Sequence, residues 1–192
     1  MRKIAIPLMG DYDIPALYFF KNVSDVEIIK PNKITNKTIE VGSKYSPSFV
    51  CMPFKYTLGT FIEALEKGAN VLVQLGGGCR YGYYSELQEK ILRDLGYKFT
   101  MVNFIIEGKL NFKRLKEEYL KIDKHPKKLK IIKYGIITRY MIKYMDELDE
   151  YIRSNIGFEV NKGEFKKIKK EILNNFSKSK NLIDLYIKYK KG

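Results

Sequence analysis

Two cysteines and a glycine run carry most of the chemistry open to this sequence. Cys51 ends the run Ser48-Phe49-Val50-Cys51, just ahead of Pro53 and a helical stripe of Leu58, Phe61, Ile62 and Leu65. Cys79 follows Gly76-Gly77-Gly78 and precedes Arg80 and a second stripe of Tyr84, Leu87, Ile91 and Leu95. Each thiol therefore stands between an apolar run and the start of a helix. Exposed N–H groups and the helix dipole favour negative charge there. A thiolate so placed has a lowered pKa and is a better ligand or nucleophile. Gly77 and Gly78 let backbone approach a bound group without Cβ obstruction, and Arg80 adds a fixed positive charge. Several chemistries fit that description. Two buried, inert thiols are the simplest. A redox pair is another, without the C-x-x-C spacing. A phosphate-cradling loop at Gly76–Gly78 is a third, although neither Gly-x-x-x-x-Gly-Lys-Ser/Thr nor G-x-G-x-x-G is present. A disulfide is disfavoured in a reducing compartment.

Other reactive types are scarce. The chain holds one histidine and two cysteines, which excludes multi-histidine zinc sites, triads built on several histidines and a four-cysteine site within one chain. His125, in Lys124-His125-Pro126-Lys127-Lys128, reads as a solvated turn residue. Asp11 and Asp13 read as turn and capping residues rather than metal ligands. Glu40, Lys55 and Arg80 could bind an anion or tune the site, with structural salt links an equal reading for Glu40 and Lys55. Tyr81 and Tyr83 could wall the site from water, while Tyr84 reads as core.

The elements that must position these residues alternate. Strands are expected at 3–8, 26–29, 48–51, 70–75 and 98–105, and helices at 14–22, 58–68 and 84–95, with a polar loop from Asn32 to Lys37. This is the pattern of an α/β, Rossmann-like unit with a mostly parallel sheet of four to five strands, spanning 3–108. Right-handed crossovers place the turns after Ile6, Cys51 and Leu75 at one sheet edge. From 109 to 192 the pattern becomes helical. Stripes of Met141, Tyr144, Met145, Leu148, Tyr151 and Ile152, then Phe165, Ile168, Ile172 and Phe176, then Leu182, Leu185 and Tyr189 are expected to pack together or onto the sheet.

Length and charge bound the rest. At 192 residues the chain suits one domain, or one domain with a helical appendage. No apolar window is long enough for a transmembrane helix, and the N-terminus lacks a signal peptide's pattern, so a cytoplasmic protein with no membrane association is expected. The net charge of +14 invites a nucleic-acid reading. However, residues 1–108 hold 13 Lys/Arg against 11 Asp/Glu, and residues 109–192 hold 23 against 11. The excess is mostly lysine, with Arg114, Arg139 and Arg153 the only arginines of the second half, whereas base and phosphate readers lean on arginine. Solvated helix faces explain it best, partner docking next, and nucleic acid is not expected.

The ordered motifs resemble a known family. They are Ile6-Pro7-Leu8-Met9-Gly10-Asp11-Tyr12, Lys37-Thr38-Ile39-Glu40-Val41-Gly42-Ser43 and Ser46-Pro47-Ser48-Phe49-Val50-Cys51-Met52-Pro53-Phe54-Lys55. Gly59 with Ile62–Ala69, Gly78-Cys79-Arg80-Tyr81-Gly82-Tyr83-Tyr84 and Leu87–Tyr97 complete the set. Over residues 3–108 the chain resembles the N-terminal part of 2-hydroxyacyl-CoA dehydratase-related proteins, the group described as 2-hydroxyglutaryl-CoA dehydratase D-component-like or CoA-substrate-specific enzyme activase-like.

The resemblance implies an iron–sulfur role in anaerobic metabolism. In such subunits, cysteines hold a 4Fe–4S cluster that relays a low-potential electron from an ATP-dependent activator protein to an acyl-CoA substrate. Carried over by motif, Cys51 and Cys79 are the implied ligands, with Gly77, Gly78 and Arg80 beside the cluster. Thiolates are the soft ligands that such clusters take. Dehydratase subunits are about twice as long, with a second Rossmann-like subdomain and a third cysteine ligand. On this resemblance the chain is part of an assembly, and a homodimer or second subunit would complete the cluster site. No CoA-binding pair and no ATPase signature is recognisable. The rival expectations are a non-catalytic α/β interaction module with a basic helical docking surface, or a small-ligand or phosphate-binding domain using Gly76–Gly78.

Overall fold

The computed structural model describes residues 2–74, 84–104 and 111–190. Four strands lie in one parallel sheet: β1 (Lys3–Ala5), β2 (Glu27–Ile29), β3 (Val71–Gln74) and β4 (Thr100–Asn103), in the order β2-β1-β3-β4. Ile4 pairs with Ile28 on one side and Val71 on the other, and Leu72 pairs with Met101. The helices are α1 (Asp13–Val23), α2 (Asn36–Tyr45), α3 (Met52–Glu66), α4 (Tyr84–Asp94), α5 (Phe112–Ile122), α6 (Lys128–Asn155), α7 (Glu164–Phe176) and α8 (Leu182–Lys190). The protein is thus an α/β fold with a parallel sheet and a helical region. Among the described residues, no helix is long and apolar enough to cross a membrane.

The chain forms two compact units, one of residues 1–13 and 24–126, the other of residues 14–23 and 127–192. Most of α1 therefore groups with the helical unit, although the sequence pattern attached it to the α/β domain of 3–108. Tyr18 is the reason. Its ring enters the helical core beside Tyr134, and its hydroxyl donates to the Ser179 carbonyl at 2.7 Å. That core gathers Ile137, Met141 and Met145 of α6, Ile172 and Phe176 of α7, and Leu185 of α8. The expected stripes meet one another here, but Tyr151 and Leu182 stay exposed.

In the α/β unit, β3 is buried at every residue, as a central parallel strand must be. Leu72 packs with Leu58, Phe61 and Phe54 of α3 and with Leu92 of α4. Each such burial contributes roughly 1.5–3 kcal/mol. Gly68 and Gly96 take positive φ values of 89° and 87°, ending the chain's helical runs just past α3 and α4.

Two local expectations are corrected. The segment 48–51 is not a strand: Phe49 is 87% exposed, and Cys51 is the N-cap of α3. Pro47 and Pro53 bracket a run too short to pair, and Pro53 in the first turn instead favours the helix. The polar stretch after Asn32 is also not all loop. Thr35 caps α2, accepting from the Thr38 N–H while the Thr38 hydroxyl accepts from the Thr35 N–H.

Helices α2 and α3 then cross with backbones nearly touching. A Cβ at Gly42 would drive into the Lys55 carbonyl oxygen, and one at Gly59 into that of Thr38. Thr38, 1% exposed, also donates to Glu63 at 2.6 Å, locking the crossing.

Candidate functional site

The order β2-β1-β3-β4 places a reversal between β1 and β3. The chain leaves β1 for β2 on one side and returns to β3 on the other. In open parallel sheets the carboxyl ends of the strands at such a reversal are where ligands bind. Helix α3 delivers the chain to the amino end of β3, so its own N-terminus lies toward the carboxyl edge. Helix α4 starts from the carboxyl end of β3. The two helix N-termini are therefore brought together on one side of the sheet.

Cys51 and Tyr84 show that convergence directly. Cys51 caps α3 in extended backbone (φ −69°, ψ 159°), and Tyr84 is the first residue of α4. The Cys51 sulfur lies 3.5 Å from the Tyr84 hydroxyl oxygen. The Tyr84 ring stands edge-on to Phe54, one turn into α3, with centroids 4.9 Å apart. Gln88, fully buried one turn further along α4, donates to Thr57 at 2.7 Å and to the Phe54 carbonyl at 3.3 Å. Those bonds tie α4 to the first turns of α3 and so hold Tyr84 at the thiol.

The thiol of Cys51 is exposed, and its pKa is lowered. The Tyr84 hydroxyl, donating to the thiolate, is the main cause; slight burial opposes it, and the backbone N–H groups of Phe54 and Cys51 pull the same way as Tyr84. The sulfur closes no capping hydrogen bond of ordinary geometry. Cys51 is thus an accessible thiol whose ionised form the site favours, the form that binds a soft metal or attacks an electrophile.

Of the residues that the sequence singled out, Gly77, Gly78, Cys79 and Arg80 lie outside the described residues, as do Gly76, Tyr81 and Tyr83. Cys79 stands five positions before Tyr84 in the sequence. Among the described residues, no three His, Cys, Asp or Glu side chains gather in a metal-holding group. His125 is exposed, its backbone N–H donating to Asp123 at 2.9 Å. Glu40 is exposed on α2. Tyr84 is the residue whose role the sequence concealed. Its place on the α4 stripe signalled core, and its ring does pack on Phe54, yet its hydroxyl reaches the thiol.

Gln74, the last residue of β3, is 3% exposed, and its side-chain carbonyl has no hydrogen-bond partner among the described residues.

No family model matches the chain, and no curated protein or solved structure matches it. The likeness to the dehydratases rests on the sequence motifs alone.

Proposed function

We propose that the chain is an iron–sulfur subunit of the 2-hydroxyacyl-CoA dehydratase type, in which Cys51 and Cys79 are ligands of a 4Fe–4S cluster completed by a second chain. The observation that carries the reading is Cys51 itself. It is an exposed thiol of lowered pKa, at the N-terminus of α3 and in contact with α4, the helix that the Cys79 segment enters. The donor chemistry fits such a cluster, but the donor count of one chain does not. A four-cysteine cluster needs two more thiolates, from a second copy or from a different subunit.

Bound there, a cluster would supply a single low-potential electron to an acyl-CoA substrate, recharged by an ATP-dependent activator. The chain's own residues would do the rest. Cys51 would bind iron as thiolate. Tyr84 would donate to that sulfur, and hydrogen bonds to ligand sulfur tune a cluster's potential. Arg80 would offset the cluster's negative charge. Such chemistry belongs in a reducing, cytoplasmic setting.

Anaerobic reconstitution of the full chain with iron and sulfide tests this. A brown protein with stoichiometric iron and sulfide is expected, and Cys51→Ala and Cys79→Ala should each abolish the colour. A colourless protein whose two thiols still titrate in full, alone and with its co-purifying subunits, would sink the proposal.

A second reading draws on the strand reversal between β1 and β3. It makes the domain a binder of phosphate-bearing small molecules at Gly76–Gly78. It predicts thermal stabilisation by nucleotides or CoA that survives in Cys51→Ala.

A further inference from the structure

Helix α6 has two apolar faces, and only one is used. Ile137, Met141 and Met145 enter the core of the helical unit. On the other face, Leu129, Ile132, Ile136 and Tyr140 recur at intervals of three, four and four, and are 85%, 61%, 45% and 41% exposed. Scattered exposed apolar residues need no explanation, but a straight row of them along one helix does. The row is embedded in one sign of charge. From Lys128 to Met145 there are five basic residues and no acidic one. Lys128, Lys133 and Arg139 border it directly.

We propose that this half of α6 docks an acidic amphipathic helix of a partner protein. Intervals of three and four are the seam along which two helices pair, and the flanking positions of such a seam select the partner by charge. A partner that fits would carry a leucine- or isoleucine-rich seam bordered by Glu or Asp. A second copy of the same face does not fit, because the helical unit holds 18 Lys/Arg against 8 Asp/Glu and like charges would meet. Nucleic acid fits poorly, since the centre of the patch is aliphatic rather than basic. A bilayer fits poorly as well. Surface-lying helices bury a broad apolar face, whereas this one exposes a narrow row, its other apolar face being committed to the core. The proposal does not depend on the iron–sulfur reading.

The test uses the full chain and a labelled synthetic peptide of about three heptads, with Leu at the seam and Glu at the flanks. Its counterpart carries Lys at the flanks. The acidic peptide should bind saturably, more weakly as salt rises, and the basic one should not. Ile132→Ser with Ile136→Ser should weaken binding at least ~10-fold, on the order of 1.4 kcal/mol. The thermal melt should hardly change, because both positions are exposed. Lys128→Glu with Lys133→Glu should reverse the preference between the peptides, which a purely structural role for those lysines would not produce. The proposal is overturned if neither peptide binds, or if the variants bind like the parent chain. Tighter binding of phosphatidylglycerol vesicles or duplex DNA through the same residues would also overturn it.

Discussion

The Cys51 sulfur and the Tyr84 hydroxyl oxygen lie 3.5 Å apart, 33 residues apart in the chain. The contact joins the N-cap of α3 to the first residue of α4. It does so because buried Gln88 fixes α4 against the Phe54 carbonyl and Thr57. Core packing thus positions an exposed reactive group.

Replacing Tyr84 by Phe separates the two roles of that ring. Phe keeps the edge-on packing against Phe54 and removes the hydroxyl. The Cys51 pKa should then rise, because its largest lowering influence is gone. Less thiolate forms below that pKa, so alkylation of Cys51 by iodoacetamide near neutral pH should slow. Peptide mass mapping reads Cys51 apart from Cys79. An unchanged Cys51 rate would remove Tyr84 from the site.

The alternation of apolar runs and helical stripes made the parallel sheet legible. β3 announced itself through Val71-Leu72-Val73, and Gly68 and Gly96 marked the helix ends. The segment around Cys51 misled because Phe49 and Val50 look like a strand, and only pairing shows that they are not one. Helix α2 was hidden because Asn36, Lys37 and Ser43 are polar and its stability comes from the crossing with α3. The placement of α1 depends on where Tyr18 finds Ser179, 161 residues away, which no local pattern encodes.

Gly59→Ala should destabilise the α/β unit. On an isolated helix, alanine would gain about 1 kcal/mol over glycine. Here the new methyl meets the Thr38 carbonyl oxygen, a backbone atom that cannot swing away. Overpacking of that kind costs roughly 3 kcal/mol, so the clash outweighs the propensity. The net loss is about 2 kcal/mol, and a fall in Tm of roughly 4–8 °C is expected for a chain of this size. A Tm at or above the parent's would mean that α2 and α3 part more easily than the geometry indicates.

Tyr18 should make the protein sensitive to alkali. Burial, reinforced by Tyr134 and Asp184, pushes its pKa up to about 12 from 10.0. The neutral phenol is therefore favoured in the fold, and this contribution is complete below pH 10. It is lost as pH rises from 10 to 12, where the unfolded chain ionises first, at a cost on the order of 2–3 kcal/mol. Tyr119, pushed up to about 12 chiefly by burial, adds a loss in the same window. Tyr18→Phe should cost about 1 kcal/mol at neutral pH for the lost bond to Ser179. It should also flatten the alkaline decline, as read by urea denaturation at several pH values. An equal decline in both proteins would exclude Tyr18 as a source.

Cys51→Ser sets helix stability against thiol chemistry. An N-cap residue with extended backbone is best served by Ser, Thr, Asp or Asn, whose oxygen accepts from the third helical N–H. Cys51 has the backbone geometry but closes no such bond. Serine should do so to the Phe54 N–H and stabilise α3 by about 0.5–1 kcal/mol. The expected result is a rise in Tm of roughly 1–4 °C and, on the iron–sulfur proposal, loss of iron incorporation on anaerobic reconstitution. A Tm that falls, with iron content unchanged, would instead make Cys51 a structural residue and remove the site's only described thiol from the proposed ligand set.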